Sequence, residues 1–156
     1  FQKAGETKYQ GGKIAALYVK ITAGLFSFAF FPTLVLFIWS QEIFIWIFGA
    51  QWDVAGVYAS YLVLWLAFVF CNLPAILFAR IIRIQSTVFF YDLALLVARG
   101  LTLIFGGMYF TALKTIILFS VVGAIMNMFL ILLVGYAVMR KEGHVNVDTI
   151  RDALLK

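Results

Sequence analysis

Charge is what this sequence has least of. Only 12% of its 156 residues are Asp, Glu, Lys or Arg, against 65% hydrophobic residues, and the mean hydropathy is +1.05. A soluble domain carries about a quarter charged residues, so the composition excludes a water-covered globule. Cysteine is nearly absent. The single Cys71 lies in an apolar run, which excludes a disulfide framework and a CxxC metal site. Also absent are HExxH, GxSxG, a phosphate-binding glycine loop and an Asp-rich diphosphate motif. The chain therefore reads as something other than an enzyme, with no cofactor and no metal site. His144 stands in a polar tail and reads as a solvated histidine.

What is present is long apolar runs. No charged residue occurs from Ile21 to Gln41, from Val54 to Ala79, or from Thr115 to Met139. Each window holds the roughly 20 residues that cross a bilayer core. A fourth window, Leu93 to Leu113, has the same length but contains Arg99. The expected fold is all-α, a polytopic integral membrane protein. Its four transmembrane helices fall at about 21–40, 55–79, 88–110 and 115–139.

The segments around these spans complete the organisation. Residues 1–20 carry Lys3, Lys8, Lys13 and Lys20, a Gly11-Gly12 break, and Ile14, Leu17, Tyr18 and Ile21 at helical spacing. They read as a short amphipathic helix, a cytoplasmic linker lying on the membrane surface and running into the first span, with Lys20 anchored at the headgroups. Pro32 falls inside the first span, where it is expected to kink the helix. The run from Ile43 to Gly49, set among Trp39, Trp46 and Trp52, is too short to cross again and reads as a separate interfacial element on an aromatic belt. The patch Cys71-Asn72-Leu73-Pro74 should kink the second span. Residues 140–156 form a polar tail, in which Asp148 is expected to cap a short helix over 149–155.

The net charge of +5 does not signal nucleic acid, because the basic residues sit at the ends of apolar runs and form no stripe. They set topology instead. The first segment holds four lysines, the loop after span two holds Arg80 and Arg83, and the tail holds Arg140, Lys141, Arg151 and Lys156. The opposite loops offer only Lys114, beside Glu42 and Asp53. The positive-inside rule then puts both ends and the middle loop in the cytoplasm. The chain begins with Phe1 and shows no apolar signal-peptide core, so the expectation is the C-terminal part of a longer polypeptide.

Arg99 is the most informative residue. An arginine near the middle of a span costs about 2.5–3.5 kcal/mol on insertion scales and should face a bundle interior or an aqueous cavity. Two readings stand: it attracts an anionic group in a transport cavity, or it pairs with an acid on another helix. Asp92 lies seven residues earlier, about two turns, and shares its face. Ala94, Ala98, Thr102 and Gly106 form a drifting small-residue stripe that suits close helix packing. Asn72, with Pro74, and Asn127, with Ser120, either line a cavity or bond across helices. Arg80 and Arg83 either contact lipid phosphate or only fix topology.

One sequence of features has a family likeness. Phe48-Gly49-Ala50-Gln51-Trp52-Asp53-Val54-Ala55-Gly56-Val57-Tyr58 resembles a signature of the polysaccharide biosynthesis proteins, the O-antigen and exopolysaccharide flippases. These belong to the multidrug, oligosaccharidyl-lipid and polysaccharide exporter superfamily. Pro74 and Gln85 also fall where that family tends to have a proline and a glycine-basic-glutamine turn, although here the turn reads Ile82-Arg83-Ile84-Gln85 without the glycine. The resemblance covers about residues 1–143. It implies the last four helices of a twelve-helix transporter, whose partners are the bilayer, the missing N-terminal helices and a lipid-linked oligosaccharide. It further implies a bacterial cytoplasmic (inner) membrane location. The implied task is to carry an undecaprenyl-diphosphate-linked oligosaccharide across that membrane by alternating access, with Arg99 suited to the diphosphate. Two alternatives remain: a drug or toxin exporter of the same superfamily, which would favour a substrate-facing acid such as Asp92, and a structural four-helix membrane subunit.

Overall fold

Bilayer hydrocarbon offers no partner to a free backbone N–H or C=O, so a spanning segment must satisfy its own hydrogen bonds as a helix. The computed structural model, which describes the backbone over residues 2–154 and side chains over 14–141, is all helix. Helix α1 runs Gln2–Phe48, a 3-10 turn takes Ala50–Trp52, and α2 takes Asp53–Cys71. Helices α3, Leu73–Ile81, α4, Gln85–Tyr109, and α5, Ala112–Leu154, follow. Four stretches are long and apolar enough to cross a membrane: Ile14–Phe48, Ala50–Ile81, Gln85–Tyr109 and Ala112–Lys141. The chain is a membrane-embedded, multi-pass α-helical protein.

Three expectations about boundaries need correction. The Ile43–Gly49 run is not an element separate from the first span and the linker that runs into it, because α1 is continuous for 47 residues. Gly11-Gly12 does not interrupt it, and Pro32 is accommodated inside it with its ring exposed. Nothing between Ser40 and Phe48 breaks a helix. The chain first turns at Gly49, whose φ of 95° lies in the region that glycine alone adopts freely. The expected short helix over 149–155 is likewise the end of α5, which is unbroken for 43 residues. Asp148 has backbone N–H groups of the same helix before it and so starts nothing. The amphipathic face proposed for residues 1–13 and the side chains of the tail lie outside the described residues.

The second span is broken where its sequence suggests. Asn72 closes α2 and opens α3, and Pro74 takes the first turn of α3, where a missing N–H costs nothing. Asn72 N–H donates to Val69 O at 3.2 Å.

Helix α5 is the element on which the others pack. One side of it carries Leu130, Val134 and Val138, all essentially buried, at four-residue spacing. Facing them are Cys71, Ala75, Phe78 and Ala79 of α2 and α3. Tyr18 of α1 closes this core: its ring meets Phe78 edge-on at 5.3 Å, and its hydroxyl donates to Ile131 O at 2.6 Å. Two glycines permit the closest helix approaches. A Cβ on Gly56 would stand 2.6 Å from Gln41 Cα, and one on Gly106 would stand 2.5 Å from the Thr115 side chain. The stripe on α4 is therefore real over Thr102 and Gly106, which are buried against α5, while Ala94 is exposed.

The outer faces are apolar without relief. Phe28, Phe30 and Phe31 of α1 and Leu96 and Met108 of α4 are each more than 65% exposed. Patches of that extent are not sustained in water and are unremarkable in lipid, whose tails are as apolar as leucine.

Candidate functional site

Helices α2 and α4 both pack on α5 and do not pack on one another. Arg99 of α4 reaches across the resulting gap. Its guanidinium carbon lies 3.8 Å from the centroid of the Trp65 ring on α2 and 3.9 Å from that of Phe119 on α5. The two rings meet edge-to-face, 5.6 Å apart at 75°, so the cation sits in an aromatic corner. Each such contact is worth about 0.5–2 kcal/mol, enough to offset much of the cost of placing arginine in a span.

The aromatic corner holds the charge but supplies no acceptor. Arg99 Nε and Nη2 are buried without a hydrogen-bond partner, and so is the indole nitrogen of Trp65. No ion pair occurs among the described residues, so the alternative in which Arg99 pairs with an acid on another of these helices is not realised within them. Asp92 and Arg99 do share a face, as their spacing predicts. Both line one groove of about 400 Å³ along α4, together with Leu96, Leu103 and Phe119. Asp92 is exposed at its end of the groove.

Asn72 and Asn127 take the other of their two readings. They are buried, each 4% exposed, and Asn72 Nδ2 donates to Asn127 Oδ1 at 3.0 Å. Asn127 Nδ2 in turn donates to Gly123 O at 2.7 Å. Ser120 similarly donates to Tyr61 O at 2.5 Å. These groups join α2 to α5 and line no part of the Arg99 groove. A polar side chain facing another helix in lipid is satisfied most cheaply by that helix.

Arg80 and Arg83 are both exposed at the α3–α4 turn. Arg83 occupies the left-handed region, φ 58°, the position for which a glycine is ordinarily chosen. The turn is tied to α5 by Lys141, whose ammonium donates to Ile82 O. Arg80, Arg83, Arg140 and Lys141 thus gather at one end of the bundle.

Trp65 and Phe119 were not marked out by sequence. Each sits in an uncharged apolar run where an aromatic residue is unexceptional. Their signal is relational: it exists only once Arg99 is placed between them. Among the described residues no group of His, Cys, Asp or Glu is arranged to hold a metal ion. Compared with known protein families, curated proteins and solved structures, the chain matches none.

Proposed function

We propose that this chain is part of a membrane flippase that moves an undecaprenyl-diphosphate-linked oligosaccharide between leaflets by alternating access. The observation that carries the reading is Arg99. A cation in a membrane span, held by two aromatic rings, with two donors unpartnered and a groove beside it, is suited to an anionic cargo. A charge kept within a span at such cost is functional by default.

Two further features support it. The Phe48-Gly49-x-x-Trp52 element is a built turn: Gly49 has positive φ, and the Phe48 and Trp52 rings approach to 5.7 Å. The basic end of the bundle suits a cytoplasmic face, which supports a reading in which both ends of the segment lie on the cytoplasmic side of a bacterial cytoplasmic membrane. The remaining helices of such a transporter would cover the faces of α1 and α4 that are left bare here.

The test is complementation with the complete gene product. In a host lacking it, Arg99→Ala is expected to abolish surface glycan at unchanged protein level, and lipid-linked oligosaccharide should accumulate. Normal glycan display by Arg99→Ala overturns the reading. Asp92 lines the same groove and favours a second reading, a drug or toxin exporter. In that case Asp92→Asn abolishes drug resistance while the glycan is untouched.

A further inference from the structure

The turn between α3 and α4 is closed by two backbone hydrogen bonds. Ile84 N donates to Ala79 O at 3.0 Å, and Arg83 N donates to Arg80 O at 3.2 Å. A helix that ends in this pattern needs a left-handed residue just past its last turn, and that residue is ordinarily glycine. Here it is Arg83, with φ 58°. Glycine serves the backbone of such a turn without steric cost, so what arginine adds is its side chain, and that side chain is exposed.

The turn also gathers charge. The Ile82 carbonyl, left over at the end of α3, accepts from the ammonium of Lys141 on α5. Arg80, Arg83 and Lys141 therefore share one corner, and Arg140 adjoins it; all four are exposed. Among the described residues no carboxylate offsets them. Glu42 and Asp53 flank the Gly49 turn at the opposite end of the bundle, and Asp92 lies about two turns into α4. Bare apolar side chains adjoin the cations. Leu77 and Ile81, a turn apart on α3, and Phe89 and Phe90, in the second turn of α4, are each more than half exposed. A cationic rim beside an apolar wall matches an amphiphile with an anionic head, and basic corners at the ends of spanning helices suit phospholipid head groups. The planar fork of an arginine takes two oxygens of one phosphate.

We propose that Arg80 and Arg83, with Arg140 and Lys141 beside them, bind the phosphate of an anionic phospholipid in the leaflet at this end of the bundle. Its acyl chains lie against Leu77, Ile81, Phe89 and Phe90. The site stands apart from the Arg99 groove and does not rest on the flippase reading.

The experiment titrates the complete protein in detergent with phosphatidylglycerol, phosphatidylethanolamine and soluble glycerol phosphate, and resolves the bound species by native mass spectrometry. Phosphatidylglycerol is expected to bind in preference to phosphatidylethanolamine, and glycerol phosphate is expected not to displace it. Arg80→Gln and Arg83→Gly should each weaken phosphatidylglycerol binding about fivefold, the worth of one basic residue near an anionic head group. Arg83→Gly also relieves the turn, so its thermal melt without lipid should be no lower than that of the wild type, and weaker binding there is not a loss of fold. Lys114→Gln, at the opposite end of α5's span, should bind like wild type. Undiminished binding by Arg83→Gly overturns the proposal. So does an equal loss in Lys114→Gln, which makes the effect one of net charge alone. Equal affinity for phosphatidylethanolamine overturns the anionic head group, and displacement by glycerol phosphate overturns the lipid in favour of a soluble phosphate.

Discussion

The hydroxyl of Tyr18 donates a 2.6 Å hydrogen bond to the backbone carbonyl of Ile131, joining the first and last spanning helices through residues 113 positions apart. The same ring lies against Gly135, where a Cβ would come within 3.1 Å of Cε1. One side chain thus closes the bundle, by an interhelical hydrogen bond in a setting where such bonds are worth about 0.6 kcal/mol on average and up to about 1.7. Tyr18→Phe should therefore cost about 1 kcal/mol, whereas Tyr18→Ala should cost several times more by opening a cavity. Reversible unfolding in micelles separates the two, and equal losses would show that the hydroxyl, not the ring, holds the helices.

The Asn72–Asn127 pair is expected to act as a unit. A double-mutant cycle with Asn72→Leu and Asn127→Leu should give a coupling energy of roughly 0.5–1.5 kcal/mol. Simple additivity would mean that the 3.0 Å contact contributes nothing to stability.

Gly56 and Gly100 offer a matched comparison. Gly56→Ala places a methyl 2.6 Å from Gln41 Cα, with backbone rather than a yielding side chain in the way, while Gly100→Ala meets nothing within 4 Å. The first should destabilise by about 1–3 kcal/mol. The second should be neutral or stabilising, since alanine is the better helix former by about 1 kcal/mol. Thermal melts of both variants in one detergent are sufficient to check this.

Arg83→Gly should raise stability. A side chain in the left-handed region costs about 1–2 kcal/mol, and Arg83 is exposed with φ 58°, so little packing is lost in exchange. A lower melting temperature for this variant would mean that the guanidinium is itself bound, at a lipid headgroup or another part of the bundle.

How much of this was legible in the sequence differs from residue to residue. The spans were legible because charge is excluded from lipid, and the break at Asn72-Leu73-Pro74 because proline favours the first turn of a new helix, although Pro32 is carried inside α1 without ending it. The boundaries at Gly11-Gly12 and at Ile43 were misread because glycine and short apolar runs weaken a helix in water far more than in a membrane, where an open backbone has no alternative partner. Arg99 and Asp92 were placed on one face by spacing alone. Asn72 and Asn127 left two readings open, since spacing within a helix does not say which helix lies opposite. Trp65 was invisible because its role depends on a neighbour 34 positions away.

The length of α1 has a geometric consequence. Forty-seven residues without a break reach about 70 Å at 1.5 Å per residue, more than twice the hydrocarbon thickness. A rod of that reach, with the Gly49 turn at one tip, is long enough to cross the hydrocarbon and extend beyond it with no intervening loop. Lys20 and Phe48 therefore lie on one piece of secondary structure, and the Gly49 turn with Trp52 is carried at its tip.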